Sequence, residues 1–178
     1  NTEVVAMRDA SMQVAQGEVV ALLGPSGSGK STFLKLLIGE IDAQKGKVKR
    51  QKNVRVSYFD QKRADLDPLA TVKETLCTNG GDHIVVQGKS RHVCGYMKDF
   101  LFDPARVDDK VMHFSGGQKN RLMLAKILAD PGEFLILDEP TNDLDMDTLD
   151  MLEEILVNYT GTLFVVSHDR DFLDQVVT

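Results

Sequence analysis

The fold is decided by the sequence GPSGSGKS at residues 24–31, which follows the apolar run VVALL at residues 19–23. The octapeptide matches the pattern G-x-x-x-x-G-K-[ST] in full, and residues 30–38 after it have the apolar spacing of a helix. A strand, a glycine-rich turn and a helix in this order form a loop whose backbone N–H groups and helix N-terminus face a phosphate chain. The stretch therefore predicts a site for a nucleoside triphosphate.

The side chains of this loop have distinct predicted tasks. Lys30 places a positive charge beside the β- and γ-phosphates, and the Ser31 hydroxyl is suited to bind Mg²⁺. The residues predicted to bind the phosphates are Gly24, Pro25, Ser26, Gly27, Ser28, Gly29, Lys30, Ser31 and Thr32.

A second acidic motif follows a buried strand. Residues 134–139 read FLILDE, so that two carboxylates come directly after an apolar run. In an open α/β sheet the carboxyl ends of the strands form the edge where ligands bind. Asp138 is suited to hold Mg²⁺, and Glu139 is suited to orient or deprotonate a water aimed at the γ-phosphate.

Alternating strands and helices predict an α/β fold with a parallel sheet. The predicted strands lie at residues 18–23, 47–59, 134–137 and 163–166. The predicted helices lie at 30–38, 116–129 and 149–159. Residues 62–128, which include most of the predicted helix at 116–129, are predicted to form a helical insert. This insert has a capping box from Thr71 to Glu74. One apolar helix face is expected at Val93, Tyr96, Met97, Phe100 and Leu101.

Composition excludes several classes of protein. The chain has 178 residues, 42% of them hydrophobic and 27% charged, which argues against disorder. A net charge of −6 argues against a surface that grips nucleic acid all round. Two cysteines, Cys77 and Cys94, form no disulfide framework, so a reducing cytoplasm is expected. Residues 45–55 nevertheless contain six basic and no acidic residues. This run is either a solvated strand face and loop or a contact with RNA, DNA or an acidic protein.

The sequence FSGGQ at residues 114–118 resembles the signature motif of ATP-binding cassette (ABC) ATPases. The family's other motifs have counterparts here in the family's order. Gln61, at the end of YFDQ, resembles the Q-loop residue. DEP at residues 138–140 resembles the second Walker motif, LD at 144–145 the D-loop, and His168 the switch histidine.

The resemblance implies a P-loop NTPase, RecA-like core at about residues 1–61 and 129–178 and a helical subdomain at about 62–128. The family's adenine-stacking aromatic has no counterpart before Phe33, and the chain stops at Thr178, soon after His168. We therefore expect a single cassette that is trimmed at both ends.

The resemblance also implies a composite site, with ATP and Mg²⁺ held between two cassettes. The catalytic residues would be Glu139, His168, Gln61 and Lys30. The metal would be bound by Ser31, Gln61 and Asp138. The other cassette would present its Ser115, Gly116, Gly117 and Gln118 to the nucleotide, and Asp145 would communicate across the pair.

Finer likenesses leave two function classes open. DEPTNDLD at 138–145 and SHDRDFL at 167–173 resemble the ABC-F group, and residues 58–68 resemble the second cassette of its Uup-type members. These are soluble ATPases associated with ribosomes or nucleic acid. The first forty residues look more like exporter or lipoprotein-release cassettes, so the alternative is the ATP-binding subunit of a membrane transporter. A DNA-repair ATPase is a third class, but those proteins carry long coiled coils in place of this insert.

Overall fold

The computed structural model describes residues 11–24, 28–60 and 66–177. The strands in this part of the chain are β1 (Val19–Leu22), β2 (Val56–Asp60), β3 (His83–Val86), β4 (Lys89–His92), β5 (Phe134–Asp138) and β6 (Thr162–Val166). The helices are α1 (Lys30–Ile38), α2 (Val72–Leu76), α3 (Val93–Asp99), α4 (Gly116–Ala129), α5 (Met146–Val157) and α6 (Arg170–Val176).

Four strands form a parallel sheet in the order β1-β6-β5-β2, which confirms the predicted α/β fold class. The last residues of the strands stand in register, because Leu22 pairs with Val166, Val166 with Asp138, and Asp138 with Asp60. The segments that follow these residues therefore leave the sheet at one edge. This edge is the expected place for a ligand in such a sheet.

Both faces of the sheet are buried, as apolar parallel strands require. Alternate residues of β5 and β6 point to opposite sides. Leu135, Leu137 and Leu163 join a large apolar cluster with α4, α5, α6 and the insert. Ile136 and Phe164 pack on the other side with α1. The helix that carries Lys30 is thus fixed against the centre of the sheet.

The insert between β2 and β5 differs from the predicted all-helical segment. It contains the capping box at Thr71, as expected, but also the antiparallel hairpin β3–β4. The hairpin turns at Gln87 and Gly88, whose φ angles of 48° and 81° are both left-handed. That geometry fits a two-residue turn, for which Asn-Gly is the usual sequence signal. Because Gln-Gly lacks that signal, the hairpin could not be predicted.

Three other predictions, one about a strand and two about single helix residues, need correction. Residues 47–55 are not a strand, because residues 47–53 are exposed and Asn53 has a left-handed φ of 64°. Leu101 is 46% exposed instead of buried, since α3 ends at Asp99 and the backbone turns at φ 57°. Tyr159 lies beyond the end of α5. Helix α6 was not predicted at all.

None of the helices described is long and apolar enough to cross a membrane.

Candidate active site

Two glycines, Gly24 and Gly29, flank the undescribed residues 25–27 of the predicted phosphate loop. Gly29 has a left-handed φ of 88° and precedes the first residue of α1. A Cβ at Gly24 would lie 2.9 Å from Ser28 Oγ, so a larger residue at this position would displace the Ser28 side chain. The Lys30 ammonium folds back and donates to the Gly24 carbonyl. The described residues fit a phosphate chain, because the Lys30 charge lies at the start of α1.

Two oxygen ligands suited to Mg²⁺ meet between α1 and β5. Ser31 Oγ donates to Asp138 Oδ2 at 3.4 Å, although the two residues lie 107 positions apart. Tyr58, on the neighbouring strand β2, donates its hydroxyl to the same Oδ2 at 3.2 Å. A hydroxyl and a carboxylate side by side are the hard donors that Mg²⁺ prefers. Sequence reasoning did not predict Tyr58, whose only signal was its place in the alternating strand before Gln61.

Burial raises the pKa of Asp138, and the nearby carboxylates Asp60 and Glu139 raise it further. The hydrogen bonds from Tyr58 and Ser31 act in the opposite direction on this pKa. The Asp138 carboxylate is thus partly shielded from water and lies near two other carboxylates. Such a place favours the binding of a cation.

Glu139 begins the turn after β5 in a strained conformation. Its φ is 53°, and its N–H donates to the Val166 carbonyl at 2.7 Å. Its side chain lies between two cationic or proton-donating groups. Glu139 Oε2 is 2.8 Å from His168 Nδ1, and Oε1 is 3.9 Å from Lys30 Nζ. Because a carboxylate accepts only, His168 Nδ1 is the donor in this contact. Positive φ at a non-glycine residue is concentrated at functional sites.

A buried serine supports the turn that bears His168. Ser167 is fully buried. Its Oγ lies 3.3 Å from Thr141 Oγ1 and accepts a hydrogen bond from the Asp169 N–H at 3.0 Å. These bonds join the segment after β5 to the segment after β6. The sequence offered no signal for this bracing role of Ser167.

The signature residues form a second, open pocket of about 600 Å³. Ser115 caps α4 in a capping box with Gln118, and a Cβ on Gly117 would lie 3.0 Å from the Asp143 carbonyl oxygen. Asp145 caps α5 by accepting a hydrogen bond from the Thr148 N–H at 2.9 Å. The lining residues are Ser115, Gly117, Gln118, Arg121, Asp143, Leu144, Asp145 and Thr148. The signature and the D-loop therefore share one surface, which none of the described phosphate-site residues lines.

The structure brings five of the predicted site residues together. Lys30, Ser31, Asp138, Glu139 and His168 are joined by the contacts above. Thr32 is half-buried in the first turn of α1, and Gly116 is exposed at the start of α4. Four predicted residues lie outside the described part of the chain: Gln61, Pro25, Ser26 and Gly27.

Comparison with known proteins identifies the class to which this fold and site belong. Residues 7–142 match the family described as "ABC transporter". The chain belongs to this family and is an ABC ATPase cassette.

Two relatives show which group of ABC proteins the chain is similar to. The chain is 51% identical to ATP-binding protein Uup of Haemophilus influenzae over 172 residues, which are 97% of this chain and 26% of the relative. It is 40% identical over 172 residues to energy-dependent translational throttle protein EttA of Mycobacterium tuberculosis, covering 97% of this chain and 31% of the relative. The likeness to ABC-F proteins is thereby confirmed, and the chain spans about a quarter to a third of the length of these relatives.

A solved structure shares the fold at lower identity. The dimeric ATP-binding cassette MJ0796, bound to ADP and Pi, has a TM-score of 0.73 and 23% identity, over 96% of this chain and 83% of the other.

Proposed function

We propose that this cassette binds Mg-ATP at the carboxyl edge of its sheet, pairs with a second cassette, and hydrolyses ATP to drive a conformational change in a protein that acts on the ribosome or on nucleic acid. One observation carries the proposal. Side chains from three distant segments meet there: Glu139 lies between Lys30 and His168, and the adjacent Asp138 contacts Ser31, which follows Lys30.

We also propose a division of labour within the chain. A RecA-like core at about residues 1–61 and 129–178 would hold the nucleotide, and the subdomain at about 62–128 would carry the signature. The support is that the phosphate site involves α1, β5 and the turn after β6, whereas Ser115 lies in the insert. The apolar cluster that spans both parts would transmit movement between them.

The chemistry assigned to each side chain follows from its position. Lys30 would bind the β- and γ-phosphates, and Ser31 and Asp138, with Gln61, would hold Mg²⁺. When bound, the metal supplies positive charge that offsets the phosphate oxygens. Glu139 would accept a proton from water as the water oxygen bonds to the γ-phosphorus and the bond to ADP breaks. His168, already within reach of Glu139, would bind the γ-phosphate.

Pairing is supported by the separation of the two surfaces. The pocket at Ser115 and Gly117 is lined by none of the described phosphate-site residues. Its exposed serine and the N-terminus of the 14-residue helix α4 are suited to meet a phosphate. A second cassette, from the same or another chain, would bring that phosphate and close the site.

The pairing can be tested with two inactive variants. Lys30→Ala removes the phosphate contact, and Ser115→Arg blocks the signature surface. In a pair that contains one of each, one of the two composite sites is intact. Random pairing of equal amounts should restore about a quarter of the wild-type ATPase rate, because half of the pairs are mixed. If the mixture hydrolyses no more ATP than the separate variants, copies of this chain do not form composite sites.

The partner class is supported by the relatives. One is named a translational throttle protein, and the Uup likeness covers almost the whole chain. We propose a cytoplasmic location with these partners, which agrees with the free thiols of Cys77 and Cys94. Glu139→Gln, held in its ATP-bound state, should co-sediment with ribosomes in ATP. A failure to do so would contradict the ribosomal part of the proposal.

The alternative is the ATP-binding subunit of a membrane transporter. It is favoured by the description of the matched family and by the first forty residues, which resemble transporter cassettes. The same variant discriminates the two functions if membrane extracts are tested beside ribosomes. ATP-dependent capture by membranes alone would favour the transporter subunit.

A further inference from the structure

The loop between α1 and β2 carries the strongest local positive charge in the sequence. Its six basic residues are Lys45, Lys47, Lys49, Arg50, Lys52 and Arg55. We call residues 44–53 the basic loop. Every residue in it is exposed, and none is acidic. The loop stands out because the whole chain has a net charge of −6.

The two arginines of the basic run at residues 45–55, Arg50 and Arg55, form hydrogen bonds within the protein. Arg50 Nε donates to the Leu37 carbonyl at 2.8 Å, and Arg50 also donates to the Leu36 carbonyl. Arg55 donates to Asp130 at 2.7 Å. These bonds hold the run at its middle and at its C-terminal end, since Leu36 and Leu37 lie in the last turn of α1 and Asp130 follows α4.

The four lysines are used differently. Lys45, Lys47, Lys49 and Lys52 are exposed, and no acidic group of residues 11–24, 28–60 or 66–177 forms an ion pair with them. Their charges are therefore left to solvent on a loop that the arginines hold in place. Compact ammonium groups of this kind bind phosphates as point charges. Residues 44–55 contain no aromatic side chain on which a base could stack.

We propose that the basic loop binds the phosphodiester backbone of RNA without reading its sequence. The choice of RNA rests on the proposed function, in which the protein acts on the ribosome. Contacts to phosphates position a protein on nucleic acid and carry no sequence information, and a group of point charges without a stacking aromatic favours contacts of this kind. Arg50 also connects the loop to α1, the helix that begins with Lys30. A bound RNA would thus rest on the end of the nucleotide-binding helix.

The test compares two variants of equal charge. The loop variant is Lys47→Gln, Lys49→Gln, Lys52→Gln. The control replaces three exposed lysines elsewhere, Lys89→Gln, Lys98→Gln and Lys126→Gln. Binding of a fluorescent 20-base-pair RNA duplex is measured from 50 to 200 mM salt. Three lost phosphate contacts should reduce the salt slope by about 2.7, so that wild-type affinity falls roughly 40-fold more over this range than that of the loop variant.

The control variant should keep the wild-type slope, and the loop substitutions combined with Glu139→Gln should abolish the ribosome co-sedimentation of that chain in ATP. Equal slopes for the two variants, or no RNA binding by the wild type, would overturn the inference. So would tighter binding of a DNA duplex of the same sequence, or equal competition by polyglutamate. Co-sedimentation of the Glu139→Gln chain in ATP that does not depend on the loop lysines overturns the inference alone. A Glu139→Gln chain that does not co-sediment at all contradicts the proposed ribosomal function itself.

Discussion

Glu139→Gln tests the assignment of the general base. The substitution keeps the size of the side chain and one oxygen acceptor, so the contact with His168, 2.8 Å in the wild type, can persist. It removes the negative charge that lies 3.9 Å from Lys30 and the ability to take a proton from water. General-base catalysis contributes about 100- to 10,000-fold, so ATP turnover should fall by roughly this factor. The corresponding rise in the activation barrier is about 3–5 kcal/mol.

The assay is steady-state release of phosphate, with ATP affinity measured separately. Affinity should stay within about threefold, because the residues at the N-terminus of α1 are unchanged. Glu154→Gln makes the same chemical change on an exposed position of α5 and should hydrolyse ATP at the wild-type rate. If Glu139→Gln hydrolyses ATP within about threefold of the wild type, the role assigned to Glu139 is wrong.

Three further predictions concern the metal site, its pH dependence and the core. Tyr58→Phe removes the hydroxyl that donates to Asp138 and should weaken Mg²⁺ affinity by about 10- to 100-fold, measured by titrating Mg²⁺ against nucleotide binding. An unchanged titration would mean that this bond does not orient the carboxylate. Because burial raises the pKa of Asp138, its charged form destabilises the metal-free fold, and this cost appears as pH rises through that pKa. In urea unfolding without Mg²⁺, Asp138→Asn should therefore have a higher free energy of unfolding than the wild type at pH 7. The difference in this free energy should shrink as pH falls, and a difference that does not change with pH would contradict the prediction. Phe164→Ala, at a fully buried position, should lower the free energy of unfolding by about 3–5 kcal/mol, against less than about 0.5 for the exposed control Val85→Ala.

Much of the fold could be predicted because its signals are local. Helix α1 begins and ends as expected, since Gly29 and Gly39 bound it on both sides. The capping box at Thr71 formed as its spacing predicts. The hairpin β3–β4 could not be predicted, because its turn lacks the usual residues. Residues 47–55 were predicted to be a strand because their side chains alternate loosely. Charged side chains on both faces would leave such a strand no apolar face to bury in a sheet.

The site shows the same division between local and distant information. Motifs identified the residues that we propose to hold nucleotide and metal, because each motif is a short pattern. Tyr58 and Ser167 escaped, since their importance depends on partners that the fold brings from far along the chain. Tyr58 and Asp138 are 80 positions apart, and Ser167 meets Thr141 across 26. The parallel register of β2, β5 and β6 creates these contacts, and no short sequence pattern encodes it.

The most direct test of the central claim is the position of the γ-phosphate in a crystal structure of Glu139→Gln with Mg-ATP. The account predicts that the γ-phosphate lies at the N-terminus of α1, within hydrogen-bond distance of Lys30 Nζ. The metal should lie between Ser31 and Asp138, and Ser115 of a second cassette should face the nucleotide. A triphosphate bound away from the carboxyl edge of the sheet, or a metal that does not contact Asp138, would contradict it.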